Sequence, residues 1–243
     1  MVERYIVFAD VDETLIRPKS MIAFMNHFLE RPPFAARPAA AGMRKEFLAM
    51  RAAHTPSADR AVLNRLYYAI LRGVSHDDLE RAARAWIFDA LMGGDLFIPS
   101  TYDELMQHKK SGAELVLVSG SFAAILSPIR AQIAADALLC TELEVIDGVH
   151  TGRVLQQVIG DGKWEVIRRY LNGRTDVRME DCYAYGDHVS DICFMEKVGH
   201  QVVVGDSTDM LEIARQRNWR VLPVDQNPRP ISAQTDIHGP STA

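Results

Sequence analysis

The chain has 243 residues, 48% hydrophobic and 24% charged, with a formal net charge of −5. That length accommodates one or two domains with a substantial buried core. The acidic balance gives no footprint for nucleic acid, and no apolar stretch approaches the roughly 20 residues of a membrane span.

The first element is the strand Ile6 to Ala9, short, apolar and β-branched enough to be buried on both faces of a parallel sheet. It runs into Asp10-Val11-Asp12-Glu13-Thr14. Two carboxylates one residue apart repel each other unless a cation or proton neutralises them. Magnesium, which takes oxygen ligands and substrate phosphate, fits such a strand end, and so does a simple Asp-rich turn. The residues before this strand lack the pattern of a secretory signal, so none is expected.

From residue 18 to 98 the pattern is helical. Met21, Phe24, Met25, Phe28 and Leu29 form one stripe, ended by Arg31-Pro32-Pro33. A second helix is expected over Ala39 to Ala53, a third capped by Ser57, and a fourth capped by Ser75. A helix near Thr101 to Lys110 then leads to the strand 115–118, which ends in Ser119-Gly120-Ser121-Phe122. A hydroxyl and free N–H groups at a strand-to-helix turn can hold phosphate oxygens, although this is also an ordinary turn sequence.

Helices are expected near 122–135, 163–172, 190–197 and 208–217. Strands are expected at Ala137 to Cys140, Glu142 to Ile146, Cys182 to Tyr185, Gln201 to Val204 and Val221 to Val224, with a hairpin at Asp147-Gly148. Lys163 stands just before one of these helices. Cys182 to Tyr185 leads into Gly186-Asp187-His188-Val189-Ser190-Asp191, another strand end with two acids. The alternation predicts a doubly wound, Rossmann-like α/β core (1–17 and 99–225), an inserted all-helical cap (18–98) and a mobile tail (226–243). Cys140, Cys182 and Cys193 lack metal-ligand spacing, which suits reduced thiols and a cytoplasmic protein.

Taken together, D-x-D-x-T, the serine after a second strand, the lysine and G-D-x(3)-D resemble the four motifs of the haloacid-dehalogenase superfamily. Thr141 to Gly148 and the segment from Val198 to Trp219 resemble its phosphoserine-phosphatase-like branch. The resemblance implies a Mg²⁺-dependent phosphatase acting on a small phosphorylated metabolite. Asp10 would be the nucleophile and Asp12 the acid and base. Mg²⁺ would be held by the side chains of Asp10 and Asp187 and the main-chain carbonyl of Asp12. Ser119, Gly120 and Lys163 would hold the phosphoryl group, with Asp191 and Thr14 supporting them. A phosphoserine phosphatase or a phosphotransferase of the same family, and a non-catalytic phosphate-binding protein on this fold, are the alternatives.

The resemblance weakens at the substrate. Phosphoserine phosphatases carry a Glu seven residues after the second acid of the first motif, and Lys19 stands there. They carry an Arg in the cap, near which this chain has Tyr67, with Arg65 as a neighbouring counterpart. Replacing a carboxylate by an ammonium repels an amine substrate. A neutral or anionic leaving group is therefore expected in place of phosphoserine.

Overall fold

The computed structural model describes residues 5–53 and 60–224. Ser57 and the tail 226–243 lie outside them. Seven strands form one sheet in the order β4-β3-β2-β1-β5-β6-β7. They are β1 (Ile6–Ala9), β2 (Glu114–Phe122), β3 (Ala137–Ile146), β4 (Val149–Gln156), β5 (Tyr183–Gly186), β6 (His200–Val204) and β7 (Arg220–Leu222). All neighbours are parallel except β3 and β4. Among the described residues the helices are α1 (Ser20–Glu30), α2 (Pro38–Ala52), α3 (Arg60–Ile70), α4 (His76–Gly93), α5 (Pro99–Lys110), α6 (Ala123–Gln132), α7 (Asp161–Tyr170), α8 (Ile192–Met195) and α9 (Thr208–Arg217).

Side chains alternate across a strand, and β1 sorts accordingly. Val7 and Ala9 join a core with Leu115, Leu117, Leu105 and Ile125. Ile6 and Phe8 join Val116, Val118, Ile167, Phe194 and Met210 on the other face. The sheet is thus covered on both sides, as a parallel sheet requires. The strand order departs from β1 in opposite directions, towards β2 and β3 on one side and β5 to β7 on the other. Such a reversal leaves a crevice at the carboxyl ends of the strands.

Between β1 and α5 every named element among the described residues is a helix. Its apolar stripes, including Phe24, Phe28 and Trp86, join the same core as Leu115 and Leu117. Phe122, at the end of β2, has ring neighbours Phe24, Tyr67 and Tyr68 from this segment. At its base, Arg17 N–H donates to the Leu96 carbonyl (2.9 Å) and Ile98 N–H to the Leu15 carbonyl (2.9 Å). Between α3 and α4, the chain also bonds to the β3–β4 hairpin. Gly73 N–H reaches the His150 carbonyl (2.8 Å), His150 N–H the Val74 carbonyl (2.9 Å), and His76 N–H the Gly148 carbonyl (2.8 Å).

Several expectations need correction. Ala137 to Cys140 and Glu142 to Ile146 belong to one strand, whose first half pairs parallel with β2 and whose second half pairs antiparallel with β4. The stretch 190–197 is a 3-10 turn (Val189–Asp191) followed by the single turn α8, because the Asp191 carboxylate caps the turn at His188 N–H. Ser75 is the N-cap residue of α4 but makes no side-chain capping bond. The hairpin carbonyl of Gly148 takes the His76 N–H instead. The last strand ends at Leu222.

Candidate active site

Asp10 extends β1 by one residue, its N–H donating to the Tyr185 carbonyl on β5 (3.0 Å). The chain then turns tightly, with Leu15 and Ile16 N–H groups both returning to the Val11 carbonyl. Thr14 is fully buried in that turn, and its hydroxyl donates to Asp187 Oδ1 (2.9 Å). The first motif is thereby fastened to the loop after β5.

Lys163 lies within the first turn of α7, not before it. Its buried ammonium stands 2.5 Å from Asp10 Oδ1 and 2.5 Å from Asp191 Oδ1. Asp191 Oδ2 accepts the His188 N–H (3.2 Å). Asp191 can tuck under β5 because residue 186 is glycine. A Cβ there would stand 2.8 Å from Asp191 Cβ and 2.9 Å from Met195 Sδ.

Carboxylate oxygens of Asp10, Asp187 and Asp191 lie within 4.8 Å of one another. The Asp12 carboxyl is not in that cluster. It receives hydrogen bonds from Ser20 at the start of α1, while its Oδ1 is buried without a partner. Burial, then the charge of Asp10, pushes Asp12 up to about 7 despite those bonds. Burial pushes Asp10 up to about 6, with Lys163 opposing and Asp191 adding. Asp187 rises to about 8 through burial and the charges of Asp10 and Asp191. Burial disfavours the Lys163 ammonium, but Asp10 and Asp191 outweigh it and hold the lysine charged. Four carboxyl groups thus face one ammonium, and the surplus negative charge with an all-oxygen donor set fits a hard divalent cation.

These groups line one side of a cavity of about 370 Å³, with Ser119, Gly120 and Ser121 beside them. The facing wall comes from α1, α2 and α3: Met21, Ile22, Met50 and Leu63 are apolar, and Arg51 and Arg60 are cationic. Lys19 and Tyr67 both reach this wall. The Lys19 ammonium pairs with Glu13 (3.2 Å). Tyr67 is buried, with its hydroxyl lacking a hydrogen-bond partner. Arg65 donates instead to Gln157 (2.9 Å).

Sequence reasoning missed Ser20, Asn64, Tyr68, Arg51 and Arg60. Tyr68 Oη donates to the Gly120 carbonyl (2.6 Å), and Asn64 Nδ2 to the same atom (3.2 Å). A polar Asn four residues from a Tyr on an otherwise apolar helical face was the available signal.

The haloacid dehalogenase-like hydrolase family model matches residues 7–196. A protein of Mycobacterium tuberculosis H37Rv named a probable phosphatase is 30% identical, across 99% of this chain and 81% of its own length. Phosphoserine phosphatase SerB1 of the same strain is 24% identical across 88% of this chain and 69% of its own. A protein of unknown function from Bordetella pertussis Tohama I superposes with a TM-score of 0.76 at 24% identity, covering 91% of this chain and 99% of that one. A phosphoserine phosphatase solved as an analogue of the phospho-aspartyl intermediate has the same fold, at TM-score 0.60 and 17% identity, covering 91% and 93%. The chain is therefore a haloacid dehalogenase-like hydrolase, and phosphoserine phosphatases are among the proteins it resembles.

Proposed function

We propose that the protein is a Mg²⁺-dependent phosphatase that hydrolyses a small phosphomonoester through an aspartyl phosphate. The observation that carries this reading is Asp10, buried at the end of β1, held by Lys163 at 2.5 Å and facing the cavity. An Asp10 carboxylate oxygen bonds to phosphorus as the ester P–O bond breaks, and Asp12 gives its proton to the leaving oxygen. Water then attacks phosphorus, Asp12 takes the water's proton, and the Asp10 carboxylate leaves. A group held near 7 suits both directions of transfer.

Ser119, the Gly120 N–H and Lys163 meet the phosphoryl oxygens, and Lys163 also offsets the charge of Asp10. Asp10, Asp187 and the Asp12 main-chain carbonyl would hold Mg²⁺, with Asp191 orienting Lys163. Magnesium, when bound, neutralises phosphoryl charge and orients the ester.

The helical segment 18–98 acts as the cap that selects the leaving group. Its wall offers cations (Arg51, Arg60) and apolar contacts, and Lys19 stands where an ammonium-binding carboxylate would be needed. This favours a neutral or anionic leaving group over phosphoserine. No helix among the described residues is long and apolar enough to cross a membrane. The cysteines are unpaired, in keeping with a cytoplasmic setting.

Phosphate release from p-nitrophenyl phosphate and a panel of phosphorylated metabolites, with magnesium and after chelation, tests the reading. Asp10→Asn should release none, because an amide is a poor nucleophile. Undiminished turnover in Asp10→Asn, or after thorough chelation, would sink it.

A further inference from the structure

The Gly120–Ser121 peptide lies where the pairing of β2 with β3 shifts register, between Ser119 and Phe122, so regular ladder bonds do not hold it. Both of its polar groups are nevertheless engaged. The Gly120 carbonyl accepts from Tyr68 Oη (2.6 Å), Thr141 Oγ1 (2.9 Å) and Asn64 Nδ2 (3.2 Å). The Ser121 N–H, on the opposite edge of the same planar unit, donates to Ser119 Oγ (3.1 Å). In a trans peptide, anchoring the C=O aims the N–H. That bond occupies a lone pair of the Ser119 hydroxyl and leaves its proton to donate into the cavity.

Two of the three donors to this carbonyl come from α3. Asn64 and Tyr68 are four residues apart, on one face of the helix. The Tyr68 ring is fixed edge-on against Tyr67 (5.6 Å) and Phe122 (5.7 Å). Burial keeps its phenol protonated far above neutral pH, so it serves as a donor. The peptide is closely enclosed from two sides: a Cβ at residue 120 would stand 2.8 Å from Ile159 Cγ1, in the segment before α7, and 3.4 Å from Asn64 Nδ2 on α3.

We propose that Tyr68 and Asn64 are positioning residues of the phosphate-binding loop: α3 sets the Gly120–Ser121 peptide, and that peptide sets the Ser119 hydroxyl that meets the phosphoryl group. The proposal rests on Ser119 being a phosphate ligand, as in the proposed function. The orientation exists before substrate arrives, so it lowers the reorganisation needed in binding and in the transition state.

A four-variant cycle tests this: wild type, Tyr68→Phe, Ser119→Ala and the double variant. Inorganic phosphate affinity is read by calorimetry in magnesium buffer, and kcat/KM on p-nitrophenyl phosphate and on two esters with unlike leaving groups. Tyr68→Phe keeps the ring and removes one neutral hydrogen bond. Phosphate affinity and kcat/KM should fall about five- to tenfold, equally for all three esters. In the Ser119→Ala background the same change should cost less than about twofold, because its route is already gone. Equal losses in both backgrounds, no loss at all, or a loss that depends on the leaving group would overturn the relay. If Tyr68→Phe fails to fold, Thr141→Val removes a donor to the same carbonyl from the core side and should show the same coupling. A coupled phosphate-binding cycle without turnover in the wild type would refute the phosphatase reading and uphold the relay. Failure of the wild type to bind phosphate would refute both.

Discussion

Replacing Lys163 by Met deletes an ammonium that lies 2.5 Å from both Asp10 and Asp191 while keeping the volume of its stem. Lys163, Asp10 and Asp191 are 4%, 6% and 1% exposed, so water cannot screen the charges left behind. Breaking a buried pair by removing one partner costs about 3–5 kcal/mol. At about 2–4 °C per kcal/mol for a chain of this size, the midpoint should fall by about 6–20 °C. The loss depends on pH. Asp10 and Asp187 already sit near 6 and 8 in the folded protein, above the ordinary carboxyl value of about 3.9. Without the ammonium they hold protons to higher pH still. The folded state then binds more protons than the unfolded chain above about pH 4, so stability declines as pH rises through that window. Denaturant unfolding of both proteins in chelator at pH 5 and pH 8 provides the comparison. The deficit should be larger at pH 8. A deficit below about 1 kcal/mol at pH 8, or a larger one at pH 5, would refute the charge argument.

Magnesium at 100 times its dissociation constant should stabilise the wild type by about 2.7 kcal/mol and raise its midpoint in a thermal scan. Asp187→Asn should lose most of that rise, and an equal rise in both would remove Asp187 from the metal site. His150 is buried at the hairpin, against His76 (3.3 Å) with Glu80 beyond it, and burial with the charge of His76 lowers it to about 4. Because its folded value lies below the unfolded one, its contribution is complete above about pH 6.5 and is lost as pH falls towards 4. His150→Gln should flatten the wild-type loss over that range by on the order of 2 kcal/mol in urea titrations, and parallel profiles would show that His150 takes up its proton equally in the folded and unfolded states. Lys19→Glu should raise kcat/KM for phosphoserine relative to an anionic ester by a few fold. A wild type that already prefers phosphoserine across the panel would show that Lys19 does not set selectivity.

The parts of the site legible in the sequence are those where chemistry sits at the end of an apolar run. Asp10, Asp12, Asp187 and Asp191 follow buried strands, and Ser119 follows the apolar run of β2, which continues past it to Phe122; both are visible as breaks in hydrophobicity. Lys163 was recognisable only through the motif set, since a lone lysine at a helix start resembles any solvated charge. Tyr68 and Asn64 were hidden for a different reason: their shared partner is a main-chain carbonyl, and a backbone acceptor has no sequence signature. Thr141 misled in the opposite direction. A polar residue between two apolar runs reads as a break, yet Thr141 is buried within the continuous β3, its hydroxyl bonded to the Gly120 carbonyl. Ser75 has the identity of a cap, but a long-range bond from the hairpin supplies what the side chain would have given.

Access to the cavity is constrained by how the helical segment is tied. A single hinge at the hydrogen-bonded segments around Arg17 and Leu96 would swing all four helices together. That swing would have to break three hydrogen bonds between the α3–α4 connection and the β3–β4 hairpin, and those from α3 to Gly120. It would also separate Phe122 from Tyr67 and Tyr68. Helix α2 is placed differently. It packs on α1, α3 and the 3-10 turn at Phe34–Ala36, and it carries Met50 and Arg51 over the cavity. If Gly120 belongs to a phosphate-binding loop, holding it and admitting substrate fall to different helices, with α3 expected to remain docked while α2 moves. Local motions of this kind draw on the least cross-linked elements. Hydrogen exchange with and without magnesium and a phosphate mimic separates the two schemes. Protection should increase in α2 while α3, already slow in the free protein, changes little. Uniform new protection from residue 20 to 93 would instead require the whole segment to close as one body.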